Sequence, residues 1–237
     1  MREIKYTGII LKKQPLGEAD ELITLFTKEQ GKVRVLAKSV KSAKSKLQQK
    51  LQALFFVEAR VTTGKLPKVI GVETIKIYAP LRENLDGLKH AFYALEFVLK
   101  FSADEQKNEK LFVIFESFLE FLNSSPSAQV LDLGLLKFKL SGLETVGFAV
   151  HFPKDALTER QLFFSPEAGG FLPNPGGVAV DAEIYQLFLQ LKALRPTEAE
   201  LLKFNPRSVF QLQSFLSDFI EYQLERKLKS EMYLKGI

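Results

Sequence analysis

The chain has no cysteine among its 237 residues and only two histidines. The absence of cysteine excludes disulfide bonds and thiolate metal sites, and it fits a reducing compartment such as the cytosol. No apolar run approaches the roughly 20 residues that span a bilayer, and the first residues, Met1 to Lys5, lack the apolar segment of a secretory signal. We therefore expect a soluble, cytoplasmic protein that needs no cofactor.

Sequence motifs of nucleotide-dependent, zinc-dependent and serine-nucleophile catalysis are also missing. The chain has no G-x-x-x-x-G-K-[ST], G-x-G-x-x-G, H-E-x-x-H or G-x-S-x-G pattern. His90 and His151 are each predicted to be surface or locally satisfied side chains rather than a general base or a metal ligand. The carboxylates Glu18, Asp20 and Glu21 lie at a turn, where aspartate commonly caps the backbone. These observations predict a protein that is not an enzyme.

Acidic residues are absent between Gln30 and Val57, whereas basic residues are frequent there. Through Pro80 the chain holds 16 basic and 7 acidic residues, a net charge of +9; the remainder holds 17 and 21, a net charge of −4. Such an asymmetry indicates that the N-terminal part binds a polyanion, and single-stranded nucleic acid is the favoured candidate. The alternative is a solvated basic loop on a module with another role.

Residues 4–78 predict a β region, because β-branched and apolar segments alternate with glycine and proline turns. The predicted strands are Tyr6–Lys13, Asp20–Thr27, Gly31–Lys38, Leu54–Thr63 and Val69–Tyr78. Gly71 within the last strand predicts a bulge or a tight bend. Five strands with a longer insert after the third match the OB-fold, a five-stranded β-barrel that commonly binds oligonucleotides. A small barrel of the SH3 type is the alternative.

Basic side chains on this predicted barrel are the candidate nucleic-acid contacts. They are Lys12 and Lys13 at the end of the first strand, Arg34 and Lys38 on the third, Lys41, Lys44 and Lys46 on the connection, and Lys65 and Lys68 on the last hairpin. Aromatic residues are few in this region, and we expect most of them in the core. Binding would then depend mainly on charge, with weak base preference and a steep salt dependence.

Beyond residue 80 the apolar residues recur at three- and four-residue spacing and predict a helical bundle. The predicted helices cover 84–101, 105–122, 130–146, 181–194 and a last helix that begins at Asn205 and continues through the basic C-terminal segment. Residues 148–177 are rich in proline and glycine and predict an irregular insert with a short hairpin, Gln161–Ser165 and Gly170–Leu172. The predicted fold class is α+β multidomain, with an OB-fold domain over 1–80 and a helical domain over 81–237.

A specific pattern runs from Ile9 to Lys32 and continues at Ala37-Lys38-Ser39-Val40. It consists of an apolar strand, a Gly-Glu-x-Asp turn, an L-x-T-L-F-T strand, a glycine and a strand that ends in Ala-Lys. In these features the chain resembles the RecO family of bacterial recombination mediators, with Ser39 in place of the usual glycine. The segment Phe219–Ser230 is similar to the last helix of that family. The resemblance covers nearly the whole chain.

The resemblance implies a protein that binds single- and double-stranded DNA and anneals complementary strands. With RecR it would help to replace single-strand-binding protein by RecA at gaps, and RecF would act indirectly. It would also dock the acidic C-terminal tail of single-strand-binding protein on the helical part, where Lys137 and Lys139 are candidate contacts. The bacterial nucleoid is the implied location, and no membrane is involved. The alternative is a basic adaptor that binds an acidic protein tail or RNA and has no annealing role.

Many RecO proteins hold a zinc ion through four cysteines in the irregular segment between the helices. In this chain Ser165–Gly176 resembles the second half of that region, and Pro173 and Gly176 fall where a Cys-x-x-Cys pair is expected. A tetrahedral thiolate site is impossible without cysteine. We therefore predict a metal-free remnant of this zinc-finger-like region, held together by the packing of Phe163, Phe164 and Phe171.

Overall fold

The computed structural model describes residues 3–41, 45–153, 161–194, 202 and 204–234, without the side chain of Lys46. The strands are β1 (Glu3–Leu16), β2 (Asp20–Thr27), β3 (Gly31–Ala37), β4 (Phe56–Thr62), β5 (Val69–Lys76), β6 (Leu162–Ser165), β7 (Gly170–Leu172) and β8 (Val178–Val180). The helices are α1 (Lys46–Lys50), α2 (Ala79–Glu83), α3 (Leu85–Phe101), α4 (Glu109–Asn123), α5 (Ala128–Thr145), α6 (Ala182–Ala193), α7 (Pro206–Leu224) and α8 (Glu231–Leu234). Among these helices none is both long and apolar enough to cross a bilayer.

The N-terminal strands form one antiparallel sheet in the order β3-β2-β1-β4-β5. The two edges of this sheet approach each other where Leu36 donates a backbone hydrogen bond of 2.8 Å to Pro67 O and forms a parallel bridge with Lys68. The pairing of β4 with β5 shifts register beside Gly71, which confirms the predicted irregularity. The five predicted strands and the insert between the third and the fourth are confirmed, and the domain is an OB-fold.

Strand β2 is apolar along most of its length because both of its faces are covered. Ile23 and Leu25 point into the barrel, where they pack with Val33 and Val35 of β3. Phe26 points the opposite way and belongs to the core of the helical region. Successive side chains of a strand point to opposite faces of the sheet. In β2 one face packs in the barrel core and the other packs on the helices, so neither face needs polar residues.

The turn between β2 and β3 is fixed to the helical region by polar contacts. The Lys32 ammonium group donates to Leu99 O at 3.0 Å and to Ser102 O at 2.6 Å, and Glu105 N donates to Lys32 O at 2.8 Å. Beside these contacts the Phe26 ring stacks on Phe112 with 5.7 Å between ring centroids. Barrel and helices thus share packed surface. The predicted domain boundary at residue 80 falls within α2 and stays a prediction.

Helix α5 is the centre of the helical body and packs against α3, α4, α6 and α7. The Phe138 ring of α5 lies 5.4 Å from Phe97 of α3 and 4.8 Å from Phe118 of α4, measured between centroids. The last long helix, α7, ends at Leu224, where Glu225 has φ +54°. The prediction that this helix continues through the basic C-terminal segment is therefore wrong, and helix resumes only in α8.

The irregular insert contains a three-stranded sheet of order β7-β6-β8. The predicted hairpin is confirmed, whereas β8 was not predicted, and residues 154–160 of the insert lie outside the described part of the chain. Phe164 stacks on Phe215 at 5.0 Å and meets Phe171 edge-on at 5.2 Å, whereas Phe163 is only partly buried. Two of the three predicted phenylalanines therefore anchor the sheet to the helices. Throughout the described ranges no group of three His, Cys, Asp or Glu side chains could hold a metal ion.

Candidate nucleic-acid interface

The strand register places several predicted contact residues on one outer surface of the barrel. Lys12 of β1, Thr24 of β2 and Arg34 of β3 lie opposite one another in a single row, and residues opposite each other in antiparallel strands share a face. Two positions after Arg34, and hence on the same face, Leu36 bridges to Lys68. Neighbouring strands are about 4.8 Å apart, so the backbones of Lys12 and Arg34 lie about 10 Å from each other.

Two loops contribute further cations to the same end of the barrel. Lys38 follows β3 directly, and the next residue, Ser39, donates its backbone N–H to Asp20 Oδ1 of the β1–β2 turn at 2.8 Å. Lys65 belongs to the β4–β5 loop, which meets the end of β3 next to Lys68. Strands 2 and 3 and the loops β1–β2 and β4–β5 are the parts of an OB-fold that usually contact oligonucleotides, and Lys38 lies next to the first of these loops. We call the surface formed by Lys12, Arg34, Lys38, Lys65 and Lys68 the basic face.

Four of the basic-face lysines, Lys12, Lys38, Lys65 and Lys68, are exposed and form no ion pair with any residue in the described part of the chain. An anion that binds here needs to displace only water and counterions. The structure thus brings together, on one surface, four of the nine predicted contacts in a state that suits phosphate.

Arg34 is neutralised by a residue of the helical region. Its guanidinium donates to Asp104 Oδ2, and Lys32 lies 3.3 Å from the other carboxylate oxygen. Partial burial raises the pKa of Asp104, but the hydrogen bonds and charges of Arg34 and Lys32 outweigh burial, and the net pKa is lowered. The carboxylate is therefore ionised near neutral pH and competes with any anion for Arg34.

Lys13 and Lys41 are also engaged within the protein. Lys13 lies 3.5 Å from Glu21 across the β1–β2 pair, with both side chains largely buried. The Lys41 ammonium group donates to Gly17 O at 2.8 Å, which ties the end of the third strand to the β1–β2 turn. These two lysines stabilise the turn beside the basic face. Their role as phosphate contacts stays a prediction.

The remaining predicted contacts, Lys44 and the Lys46 side chain, lie outside the described residues.

Carboxylates are present at the border of the basic face, because Glu18 and Asp20 lie in the β1–β2 turn. Asp20 is bound by Ser39 N–H, as expected for a turn-capping aspartate. The basic face is thus positive overall, with an acidic border on one side.

Sequence reasoning missed apolar side chains that lie close to the basic face. Leu16, Leu66 and Ile70 are 45%, 40% and 43% exposed, and all three lie in the turn, the loop or the strand next to it. It also missed Asp104, because a carboxylate 70 residues away along the chain gives no local signal of pairing with Arg34. The exposed apolar residues could have been found from the sequence, because an apolar residue such as Leu16 next to a short polar turn has little room to be buried.

Lys137 and Lys139, the candidate contacts for an acidic peptide, lie inside the helical body. Lys137 donates to Leu191 O at 2.8 Å. Lys139 is fully buried, donates to Ser217 Oγ at 3.0 Å, and lies 4.7 Å from the centre of the Tyr93 ring. Each of these two ammonium groups therefore has the hydrogen-bond acceptor that a buried charge requires. Their proposed role in partner binding remains untested, and their burial gives it no support.

A cavity of about 580 Å³ opens between α5, α7 and α8. Its wall combines apolar residues, such as Leu133 and Val209, with the acidic Asp132 and Glu231. Nearby, His90 Nδ1 lies 2.7 Å from Asp86 O, and its Nε2 lies 3.5 Å from Asp132. His90 is therefore a buried, locally bonded side chain, as predicted. Carboxylates at the cavity make it a poor match for an acidic peptide.

Comparisons with known proteins agree with this architecture. The family profile described as "Recombination protein O N terminal" matches residues 1–78, and "Recombination protein O C terminal" matches residues 82–232. The chain is 27% identical to "DNA repair protein RecO" of Dehalococcoides mccartyi, over 99% of this chain and 96% of that protein. It is 28% identical to the protein of that name from Moorella thermoacetica, over 97% and 90%. A Synechococcus protein of the same name is 33% identical over 75% and 67%. The chain belongs to the RecO family of DNA repair and recombination proteins.

Proposed function

We propose that this chain binds single- and double-stranded DNA on the basic face and anneals complementary strands without covalent chemistry. In bacterial cells it would act with RecR at the nucleoid to load RecA onto DNA covered by single-strand-binding protein. Family membership supports a role in DNA repair and recombination. The convergence of Lys12, Lys38, Lys65 and Lys68 on one side of an OB-fold supports the DNA contact.

Annealing by this protein would depend on charge neutralisation. Two complementary strands repel each other through their phosphates, and lysines that replace condensed counterions reduce this repulsion. The exposed lysines of the basic face can supply that charge because they are not engaged by carboxylates among the described residues. No bond is made or broken on the DNA, and therefore no acid, base or metal site is needed.

The salt dependence of DNA binding tests the proposal. We expect the affinity for a labelled single strand, measured by fluorescence anisotropy, to fall log-linearly with salt concentration. Four lysine–phosphate contacts predict a slope of about −3 or steeper, since each contributes roughly −0.7 with single strands. Absent or salt-insensitive binding would reject the basic face as a DNA site.

An adaptor that binds an acidic protein tail or RNA is the second candidate. It is favoured by one observation: the basic face offers charge and no exposed side chain that is specific for DNA. Competition separates the candidates, because the adaptor would bind a polyglutamate peptide or an RNA strand more tightly than DNA at equal salt. We expect DNA to displace polyglutamate.

The partner RecR and the acidic tail of single-strand-binding protein belong to the same proposal. The acidic cavity between α5, α7 and α8 does not suit that tail. A basic surface would suit the tail better, since complementary charge favours binding. Family membership is the support for these partners.

Asp104→Asn is expected to tighten DNA binding by about threefold to fivefold, because it releases Arg34 for a phosphate. The salt slope for a single strand should steepen by roughly 0.7. Asp86→Asn is the matched control, since Asp86 pairs with Lys89 within α3 and the change in net charge is the same. Equal effects of the two variants would show that Arg34 does not reach the DNA.

The same variant should lose stability in a pH-dependent manner. Arg34 and Asp104 are 56% and 45% exposed, so the pair contributes only about 0.5–1 kcal/mol at neutral pH. Since the folded-state pKa of Asp104 is lowered, this contribution is complete above the unfolded-state pKa and is lost as pH falls through the folded-state pKa. Urea unfolding should therefore show a gap between wild type and Asp104→Asn at pH 7 that closes in acid. A gap that persists at low pH would assign the effect to packing.

A further inference from the structure

The aromatic side chains of the barrel region are all withdrawn from the surface. Tyr6, Phe26, Phe56 and Tyr78 are 4%, 0%, 7% and 1% exposed. Phe55 is partly buried, and the guanidinium of Arg82 covers its ring at 5.0 Å. The sequence has no other aromatic residue before Pro80, including the positions that the structure does not describe.

These rings are held in place by contacts that a bound strand would have to break. The Tyr6 hydroxyl donates to Gln30 Oε1 at 2.8 Å. Phe26 and Phe56 both pack on Phe112 of α4, at centroid distances of 5.7 and 6.1 Å. Turning either ring outward would open the packing between barrel and helices, which costs several kcal/mol for a side chain of this size. The rings are structural and do not serve as stacking platforms.

The exposed groups of the basic face are therefore ammonium groups, aliphatic side chains and the guanidinium of Arg34, which is 56% exposed and bound by Asp104. The ammonium groups of Lys12, Lys38, Lys65 and Lys68 attract phosphates. The aliphatic side chains near them, Leu66 and Ile70 among others, provide apolar contact without a π-face. Proteins that hold single strands by their bases use aromatic rings, each worth about 1–3 kcal/mol per base. Among the described residues of this surface, attraction of phosphates is thus the main strong interaction, because the planar Arg34 group is engaged by Asp104.

We infer that the basic face holds a single strand by its phosphates, with the bases turned away from the protein and free to pair. This inference rests on the proposed DNA-binding function and specifies how the strand is oriented. A strand in this orientation presents its Watson–Crick edges to solvent while its charge is neutralised. A complementary strand then pairs without first displacing the bases from the protein, and this is the arrangement that annealing requires.

Strands without bases test the orientation directly. We compare oligothymidine, a mixed-sequence strand and a strand of tetrahydrofuran abasic sites, all with the same number of phosphates, by anisotropy at equal salt. Affinities within about threefold of one another, with the same salt slope, are expected. Stacking of even one base would weaken the abasic strand by about fivefold to 150-fold, and any loss beyond about threefold overturns the inference.

Base accessibility in the complex provides an independent measurement. Permanganate oxidises unstacked thymines, and we expect thymines in the bound strand to react at least as fast as in the free strand. Protection of the thymines would show that they lie against the protein and would overturn the inference. The two failures are distinct: no binding of any strand rejects the proposed function, whereas tight DNA binding with protected bases rejects only the orientation.

Discussion

Replacing Lys12, Lys38, Lys65 and Lys68 together by glutamine should weaken binding of single-stranded DNA on the order of 100-fold or more. A lysine beside an anionic surface contributes about 1 kcal/mol, and four such losses add because the side chains do not share partners. The salt slope should fall by about 3 for the same reason. Anisotropy titrations across a salt series measure both quantities. The fold should persist, since all four side chains are exposed.

The matched control changes the same number of charges on the helical body. Arg207, Arg226, Lys227 and Lys229 are exposed residues outside the barrel, and their replacement by glutamine changes the net charge equally. If binding depended only on net charge, the two quadruple variants would weaken DNA binding to the same extent. We expect less than about a threefold effect from the control, because these four residues are not part of the basic face and salt screens exposed charges that do not contact the strand. Equal losses would move the DNA site away from the barrel.

The strands of the barrel were predictable because each has a strong local boundary. Asp20–Thr27 was predicted with its observed limits, since a Pro-x-Gly turn precedes it and Gly31 follows it closely. In contrast, β8 has only three residues after Gly177 and no periodicity from which to predict it. Long strands bounded by clear turn residues can thus be predicted from the local sequence. A strand as short as β8 forms because it pairs with a neighbouring strand, which the local sequence does not reveal.

The burial of Lys137 and Lys139 was not predicted from the sequence, and their role in partner binding stays a prediction. Helical spacing places both residues on α5 but does not tell which faces of α5 are covered. The signal was the composition of the helix, since mostly leucine, phenylalanine and glycine flank the two lysines and indicate a helix with little solvated surface. Long-range pairs such as Arg34 with Asp104 gave no comparable signal. They arise only when β3 and the α3–α4 connection meet.

Gly31→Ala should destabilise the protein by about 2–4 kcal/mol, a large effect for a single methyl group. Gly31 has φ +71°, and a Cβ at this position would overlap Gln106 O and lie 2.7 Å from its carbonyl carbon. The α3–α4 connection would have to move away from the β2–β3 turn, which breaks the hydrogen bond from Lys32 to Ser102 O. The urea midpoint and the melting temperature of the full chain should both fall.

Gly17→Ala separates the two causes of this loss. Gly17 has a nearly identical φ of +67°, but a Cβ there would meet no atom within 4 Å. This variant therefore carries the left-handed backbone strain alone, about 1 kcal/mol. The difference between the two variants in unfolding free energy measures the cost of the close contact between Gly31 and the α3–α4 connection. If the two variants were equally stable, the turn and the α3–α4 connection would separate at little cost, and the barrel would be attached mainly through Phe26 and Phe56.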